Sequence, residues 1–377
     1  MKKVMAAILA LMTAFFALPA VADLAADIEA GSAMTFDELL EKAETETGNF
    51  VVAGNTSRIV KAAATFSSLY DIDIEATNMK DQAIYDKLDN EVVDMVMIQN
   101  GANLLEHIAA GKLINFVPAS VEEAVSDSER KPALVQQYIN KVFIYNNQGD
   151  SVPAIKNVWE LTEPALKGKV LFKNPVKETV NMNFLIMLTN DYWSEKLAEA
   201  YQSWKGEEIR LGEYKNAGYK WIAEFMQNVA FISSDTTIAE ELSQETAAGQ
   251  VGLFVLNKLR SQTVNTENLT VAQVDGSENG YCIEPFSGFM YPMYVMIPAN
   301  AQRPYTAMLF IHYLMSEEGF VFWGDNIGAY SPNPVIPASD NENNLDLETW
   351  KQSLVIEDPE YILAHTDVEA FIRNYCQ

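Results

Sequence analysis

Apolar residues recur along this chain in short blocks, and most blocks stop at a small polar turn. Phe50-Val51-Val52-Ala53 breaks at Gly54-Asn55-Thr56-Ser57-Arg58, and a helical period takes over at once, with Ile59, Ala62, Ala63 and Phe66 on one side. This pattern predicts a strand feeding a helix from Ser57 to Tyr70. Ile72 to Ala76 then alternates as a strand does, and a helix over Lys80 to Leu88 leads into the apolar strand Val92 to Ile98. That strand halts at Gln99-Asn100-Gly101, before a helix over Ala102 to Ala110 that Gly111 caps. Upstream, Thr35-Phe36-Asp37-Glu38 has the spacing of a capping box and opens a helix through about Glu46. Strands alternating with helices predict an α/β protein with mainly parallel sheets flanked by helices.

The second half repeats the theme. Lys141 to Tyr145 is a strand, and the polar break Asn146 to Asp150 marks a crossing between two domains. Gly168 to Phe172 precedes the turn Lys173-Asn174-Pro175, and an interrupted helical region runs from Thr179 to Phe231. Ser233-Ser234-Asp235-Thr236 opens a helix carrying Ile238, Leu242 and Ala247, which ends at Gly249 ahead of a strand over Val251 to Leu256. Phe286 to Ile297 carries the chain back to the first domain, where Tyr305 to Trp323 packs as a helix.

Composition then sets the address. Lys2 and Lys3, an apolar run over Val4 to Leu18 and Ala20-Val21-Ala22 have the form of a secretory signal peptide cut before Asp23. The run is short for a bilayer span, so the mature chain is expected to be free of the membrane. The formal charge of −26 becomes more negative once the two leader lysines are gone. Such a surface repels nucleic acid and anionic lipid, while local donors still decide the binding of a small anion. Cys282 and Cys376 are either a disulfide pinning the C-terminal tail or two free thiols.

Catalytic motifs are missing: there is no GxSxG elbow, HExxH, CxxC pair, Walker loop or GxGxxG. His107 and His312 fall inside expected helices and His365 in the tail, away from the strand-end turns. Asp94 interrupts an apolar strand and reads as solvated or hydrogen-bonded near the sheet edge. The candidate binding residues are polar groups at strand ends: Asn55, Thr56, Ser57 and Arg58; Asn100 and Gly101; Asn174, Thr179 and Asn181; Ser234, Asp235 and Thr236; and Asn257. Unpaired N–H groups and the positive dipole end of a helix suit an anion there. The structural alternative at each turn is ordinary helix capping.

Five stretches carry a resemblance. They are FDELLEKAETETGNFVVAGNTS, IYDKLDNEVVDMVMIQNGANLLEHIAAGKLINF, NVWELTEPALKGKVLFKNP, ETAAGQVGLFVLNKL and AMLFIHYLMSEEGFVFWGDNIGAYSPNP, and they run in order from about Phe36 to Pro337. Together they resemble the solute-binding proteins of ABC transporters, in the family of ferric-iron, thiamine, phosphonate and sugar-phosphate binders. The resemblance implies a two-lobed type II periplasmic binding fold with a two-strand hinge. Residues 1–22 would be the signal peptide, 23–145 the first part of lobe 1, 146–286 lobe 2, and 287–377 the return to lobe 1 with a helical tail. It also implies a periplasmic monomer without a cofactor, which captures a small polar or anionic organic solute and delivers it to a membrane permease. Iron binders of the family usually place tyrosines after the strand matching Val251 to Leu256; here Leu256-Asn257-Lys258-Leu259 stands there. Ferric iron, or another cation such as a polyamine or thiamine with Asp235 or Glu284 as counter-charge, is the alternative ligand, with Tyr145, Tyr281 and Phe286 as aromatics for the cleft. A secreted enzyme on a two-lobed scaffold is the alternative from another class.

Overall fold

The structure, a computed structural model, describes residues 19–148, 155–272, 283–324, 327–339 and 345–376. Among the described residues twelve strands form one curled sheet. In chain order they are β1 (Phe50–Gly54), β2 (Ile74–Asn78), β3 (Met95–Ile98), β4 (Leu113–Ile114), β5 (Leu134–Asn146), β6 (Val170–Lys173), β7 (Val229–Ile232), β8 (Val251–Val255), β9 (Leu269–Val271), β10 (Gly288–Pro298), β11 (Ala329–Tyr330) and β12 (Leu354–Ile356).

Along the sheet the order is β2-β1-β3-β10-β5-β8-β6-β7. β2, β1 and β3 form one parallel group, and β8, β6 and β7 a second. The long antiparallel strands β5 and β10 join them. Register fixes how the groups face. β3 runs antiparallel to β10 with its last residue, Ile98, opposite Tyr294, while β8 runs antiparallel to β5 with its last residue, Val255, opposite Lys141. The carboxyl ends of both groups therefore point toward each other across the middle of β5 and β10. Gly288 sits at this crossing, where a Cβ would lie 2.1 Å from the Lys141 carbonyl oxygen, so no larger residue fits without moving the strands.

Alternation builds a core on each face. Along β5, Ile139 and Phe143 join a cluster with Phe66, Trp159, Phe184, Trp221 and Phe310. Tyr138, Val142 and Ile144 join another with Ile84, Tyr85, Ile238, Phe254 and Trp350. The capping box at Thr35 is present, and the helix from Ser57 to Tyr70 follows β1 as the pattern predicts.

Four elements differ from the sequence reading. The helical region ends at Phe225, and Val229–Ile232 is β7, because parallel pairing to β6 outweighs the continuing apolar run. Tyr305 to Trp323 is two helices, Pro304–Leu314 and Glu317–Gly324; Ser316 restarts the chain by accepting from Gly319 N–H at 3.1 Å. The helix after Ser234 ends at Leu242, and Ala247 lies in a separate turn before Gly249. The tail alternates helix, strand and helix: Leu347–Ser353, β12, Pro359–Ala364 and Thr366–Arg373.

Asp94 is buried, not solvated, and accepts from the backbone N–H groups of Val51, Gln302 and Arg303 at 2.9, 2.7 and 3.0 Å. His107 stacks on Tyr85 and His365 on Tyr361, while His312 meets Phe36 edge-on. Cys282 and Tyr281 lie outside the described residues, as does most of the expected signal peptide. Among the described residues no helix is long and apolar enough to cross a membrane.

Candidate functional site

Each carboxyl end in the two parallel groups delivers a polar turn to the gap between them. On the first wall, β1 ends at Gly54 and Thr56 caps the next helix, its hydroxyl accepting from Arg58 N–H at 3.3 Å. Ser57 is exposed; Asn55 and Arg58 are half-buried. β2 leads to the Asp81–Asn90 helix, whose Asp81 carboxylate accepts from Asn100 N–H at 2.9 Å and Gln99 N–H at 3.4 Å and also takes a bond from the Asn55 side chain. Burial raises the Asp81 pKa, those hydrogen bonds oppose the shift, and Glu178 on the opposite wall adds to it. β3 leads to the Gly101–Ala109 helix, where Asn100 caps Asn103 N–H at 3.4 Å.

The second wall carries more charge. Lys173 ends β6 and binds the carboxylates of both Glu178 and Asp235, the latter at 3.2 Å. Asp235 opens the helix after β7, beside the capping Ser234, whose hydroxyl accepts from Thr237 N–H at 3.0 Å; it also pairs with Lys141 at 3.0 Å. Burial alone would raise the Asp235 pKa, yet Lys141 and Lys173 hold it below the usual carboxylate range. Lys141 lies in the middle of β5, its side chain only 2% exposed, and donates to Asn181 Oδ1 at 2.6 Å. Asn181 in turn donates to the Lys173 carbonyl at 2.9 Å, so this predicted ligand residue is committed to the network under the cleft. Asn174 accepts from Val176 N–H at 2.9 Å, Thr179 is exposed in the first turn of its helix, and Thr236 is half-buried.

β8 runs into a tight turn, Leu256–Arg260, which carries Asn257, Lys258 and Arg260. Burial pushes the Arg58 guanidinium down to about 10, and Arg260 contributes from the facing wall. Burial also lowers the Lys258 pKa; Asp235 opposes this, while Arg260, Arg58 and Lys173 add to it. Among the described residues no carboxylate lies within 4.0 Å of Arg58, Lys258 or Arg260. Half-buried Arg58 and Lys258 and exposed Arg260, with no carboxylate within 4.0 Å among the described residues, store repulsion that an anion entering the gap would relieve.

The structure thus places turns from both parallel groups at one gap, but with unequal roles. Sequence reasoning passed over Asp81, Lys173, Glu178, Lys258, Arg260 and Lys141. A lysine inside the apolar strand Lys141 to Tyr145 was a visible signal, as were two cations just past the end of β8. Glu284 is exposed, with its backbone paired to Asn157, and Phe286 packs against Phe184, Trp193 and Trp221 in the core.

No family model matches the sequence, and no curated protein matches it. Solved structures do. An IdiA (FutA) protein of Trichodesmium, in complex with iron and citrate, superposes with a TM-score of 0.65 at 14% identity, over 87% of this chain and 99% of that one. Iron-bound HitA of Pseudomonas aeruginosa gives 0.61 at 12% identity, over 87% and 99%. An ABC transporter protein of Clostridium perfringens gives 0.61 at 11%, over 87% and 100%. At such identities the likeness shows the fold, and the fold is that of the two-lobed type II periplasmic binding proteins.

Proposed function

We propose that this protein is the substrate-binding component of an ABC importer, and that it captures a small anionic organic solute bearing phosphate, phosphonate or carboxylate between its two lobes. The observation that carries this reading is the set of unpaired cations, Arg58 from one wall and Lys258 and Arg260 from the other. An anion bridging them would turn their repulsion into attraction, and would do so only when the walls are close. Ligand binding and closure are then one event, and the closed form is the one a membrane permease would read. Asn55 and Ser57 precede Arg58 in its turn, and Asn257 precedes Lys258, as neutral polar groups. Lobe boundaries near 145 and 286 belong to the same reading; β5 ends and β10 begins beside them, with β10 paired to the first parallel group, β5 to the second, and the two strands to each other. The protein works as a monomer in the periplasm, by binding without turnover.

A second reading has one observation in its favour: two of the structural neighbours are described with bound iron, one of them together with citrate. Bare ferric iron would meet Lys258 and Arg260, whereas a citrate chelate would present carboxylates to them. Titration calorimetry with inorganic phosphate, citrate, ferric citrate and spermidine separates these cases. Binding of an anion or of the chelate supports the proposal. Binding of spermidine alone, or conversion of any bound solute, overturns it.

A further inference from the structure

The tail crosses from one wall to the other, and a single buried carboxylate stands at the crossing. β12 pairs in parallel with the start of β10, and Glu357 follows it, its N–H donating to the Met290 carbonyl at 2.9 Å. Through Oε2 the Glu357 side chain accepts from Asn183 Nδ2 at 3.0 Å, on the Thr179–Met187 helix of the second wall; its buried Oε1 has no hydrogen-bond partner among the described residues, and the nearby backbone N–H of Gly101, which opens a helix of the first wall, acts to lower its pKa. Just beyond, Pro359 seats on Gly101, where any Cβ would meet its ring carbon at 2.5 Å. The Tyr361 hydroxyl lies 2.9 Å from the Thr189 hydroxyl, and Phe371 packs edge-on against Tyr219.

We propose that Glu357 is a positioning residue for the cleft: it ties the Gly101 helix to the Thr179 helix, and loss of its proton loosens that tie. The proposal rests on the gap between the walls being the solute site. The groups that face Glu357 determine the sign. Asp81 acts on it from the first wall and Asp358 from its own segment, both as like charges. Tyr291 and Tyr294 of β10 lie within its field, and Asn183 is neutral. A cavity of about 410 Å³ beside it is lined by Glu129, Lys131, Lys351 and Glu360, with Lys351 already held by Glu129 at 2.8 Å. Lys131 pairs with Asp127 at 3.7 Å, so among the described residues no free cation lining the cavity offsets the burial of Glu357, which is only 6% exposed, and its carboxyl rises from 4.5 to about 7. The cavity offers the ionised group solvated space once it turns away from the two helices.

A carboxyl with a raised pKa in the tied arrangement binds its proton more tightly there than when solvated. The tie is therefore strongest below about 4.5, and it weakens by up to about tenfold per pH unit until about 7. Hydrogen exchange of residues 347–376, corrected for the intrinsic rate, reads this directly. The wild type should open more than about tenfold more often at about pH 8 than at about pH 5.5. Glu357→Gln should keep the tail protected at both. Asn183→Asp, which sets a second carboxylate against Glu357, should move the midpoint to higher pH. Equal opening of the wild type at both pH values, an unchanged response in Glu357→Gln, or an unmoved midpoint in Asn183→Asp overturns the tie. Arg58→Gln lies on the cleft side and should leave the response intact. A flat wild-type response with normal citrate or phosphate binding sinks only the tie, while a normal response without anion binding sinks the solute reading beneath it.

Discussion

At the end of β1 the chain reads Gly54-Asn55-Thr56-Ser57-Arg58, and at the end of β3 it reads Gln99-Asn100-Gly101; both precede a helix and both look made for a ligand. At the first, Thr56 caps the helix and Arg58 is left facing Arg260 and Lys258 with no carboxylate of its own. At the second, the chain has supplied the anions itself. Asp81 takes the N–H groups of Gln99 and Asn100, Asn100 takes that of Asn103, and the Glu357 carboxyl lies close to that of Gly101. The same residue types thus keep a cation without a nearby carboxylate in one place and meet the chain's own carboxylates in the other. What separates them is where remote carboxylates land, and Glu357 arrives from more than two hundred and fifty residues away in sequence.

That contrast can be broken experimentally, and the largest effect is expected at the Arg58 turn. Arg58→Gln combined with Lys258→Gln should weaken binding of the anionic solute by at least about 100-fold, on the scale of losing charged partners in a desolvated contact. The unliganded melting temperature should hold or rise, because like-charge repulsion is removed. A parallel loss of stability and binding would show instead that these cations are structural.

The Asn100 turn should respond in the opposite way. Asp81→Ala leaves two backbone N–H groups without their acceptor, and urea denaturation should show a loss of about 2 kcal/mol. Asn100→Ala should cost about 1 kcal/mol as a lost cap and leave solute affinity unchanged. The smallest effect belongs to Ser57→Ala. The exposed hydroxyl should contribute less than about 0.5 kcal/mol to stability, while solute affinity falls a few-fold in calorimetry. Were Asn100→Ala to weaken binding more than Ser57→Ala, the two turns would have to exchange roles.

Local pattern carried much of the fold. The capping box at Thr35 and the helix from Ser57 to Tyr70 follow from residue types a few positions apart. β7 did not, since Val229-Ala230-Phe231-Ile232 continues the apolar content of the helix before it, and only its partner β6 makes it a strand. The seven residues of β5 before Lys141 were missed for a related reason. Gln136, Gln137 and Asn140 look like loop residues, yet they are buried between neighbouring strands. At the candidate site, strand-end turns were legible because they are local. The division into capping, ion-pairing and open donors was not, since it depends on Asp81, Lys141, Lys173 and Glu357 meeting residues far away in sequence.

The most direct measurement is native mass spectrometry of the protein purified without denaturation, beside the Arg58→Gln, Lys258→Gln double variant. The wild type should retain a small molecule bearing phosphate, phosphonate or carboxylate, and the double variant should lose it. Retention of an organic cation or of bare metal, in equal amounts by both proteins, would contradict the account.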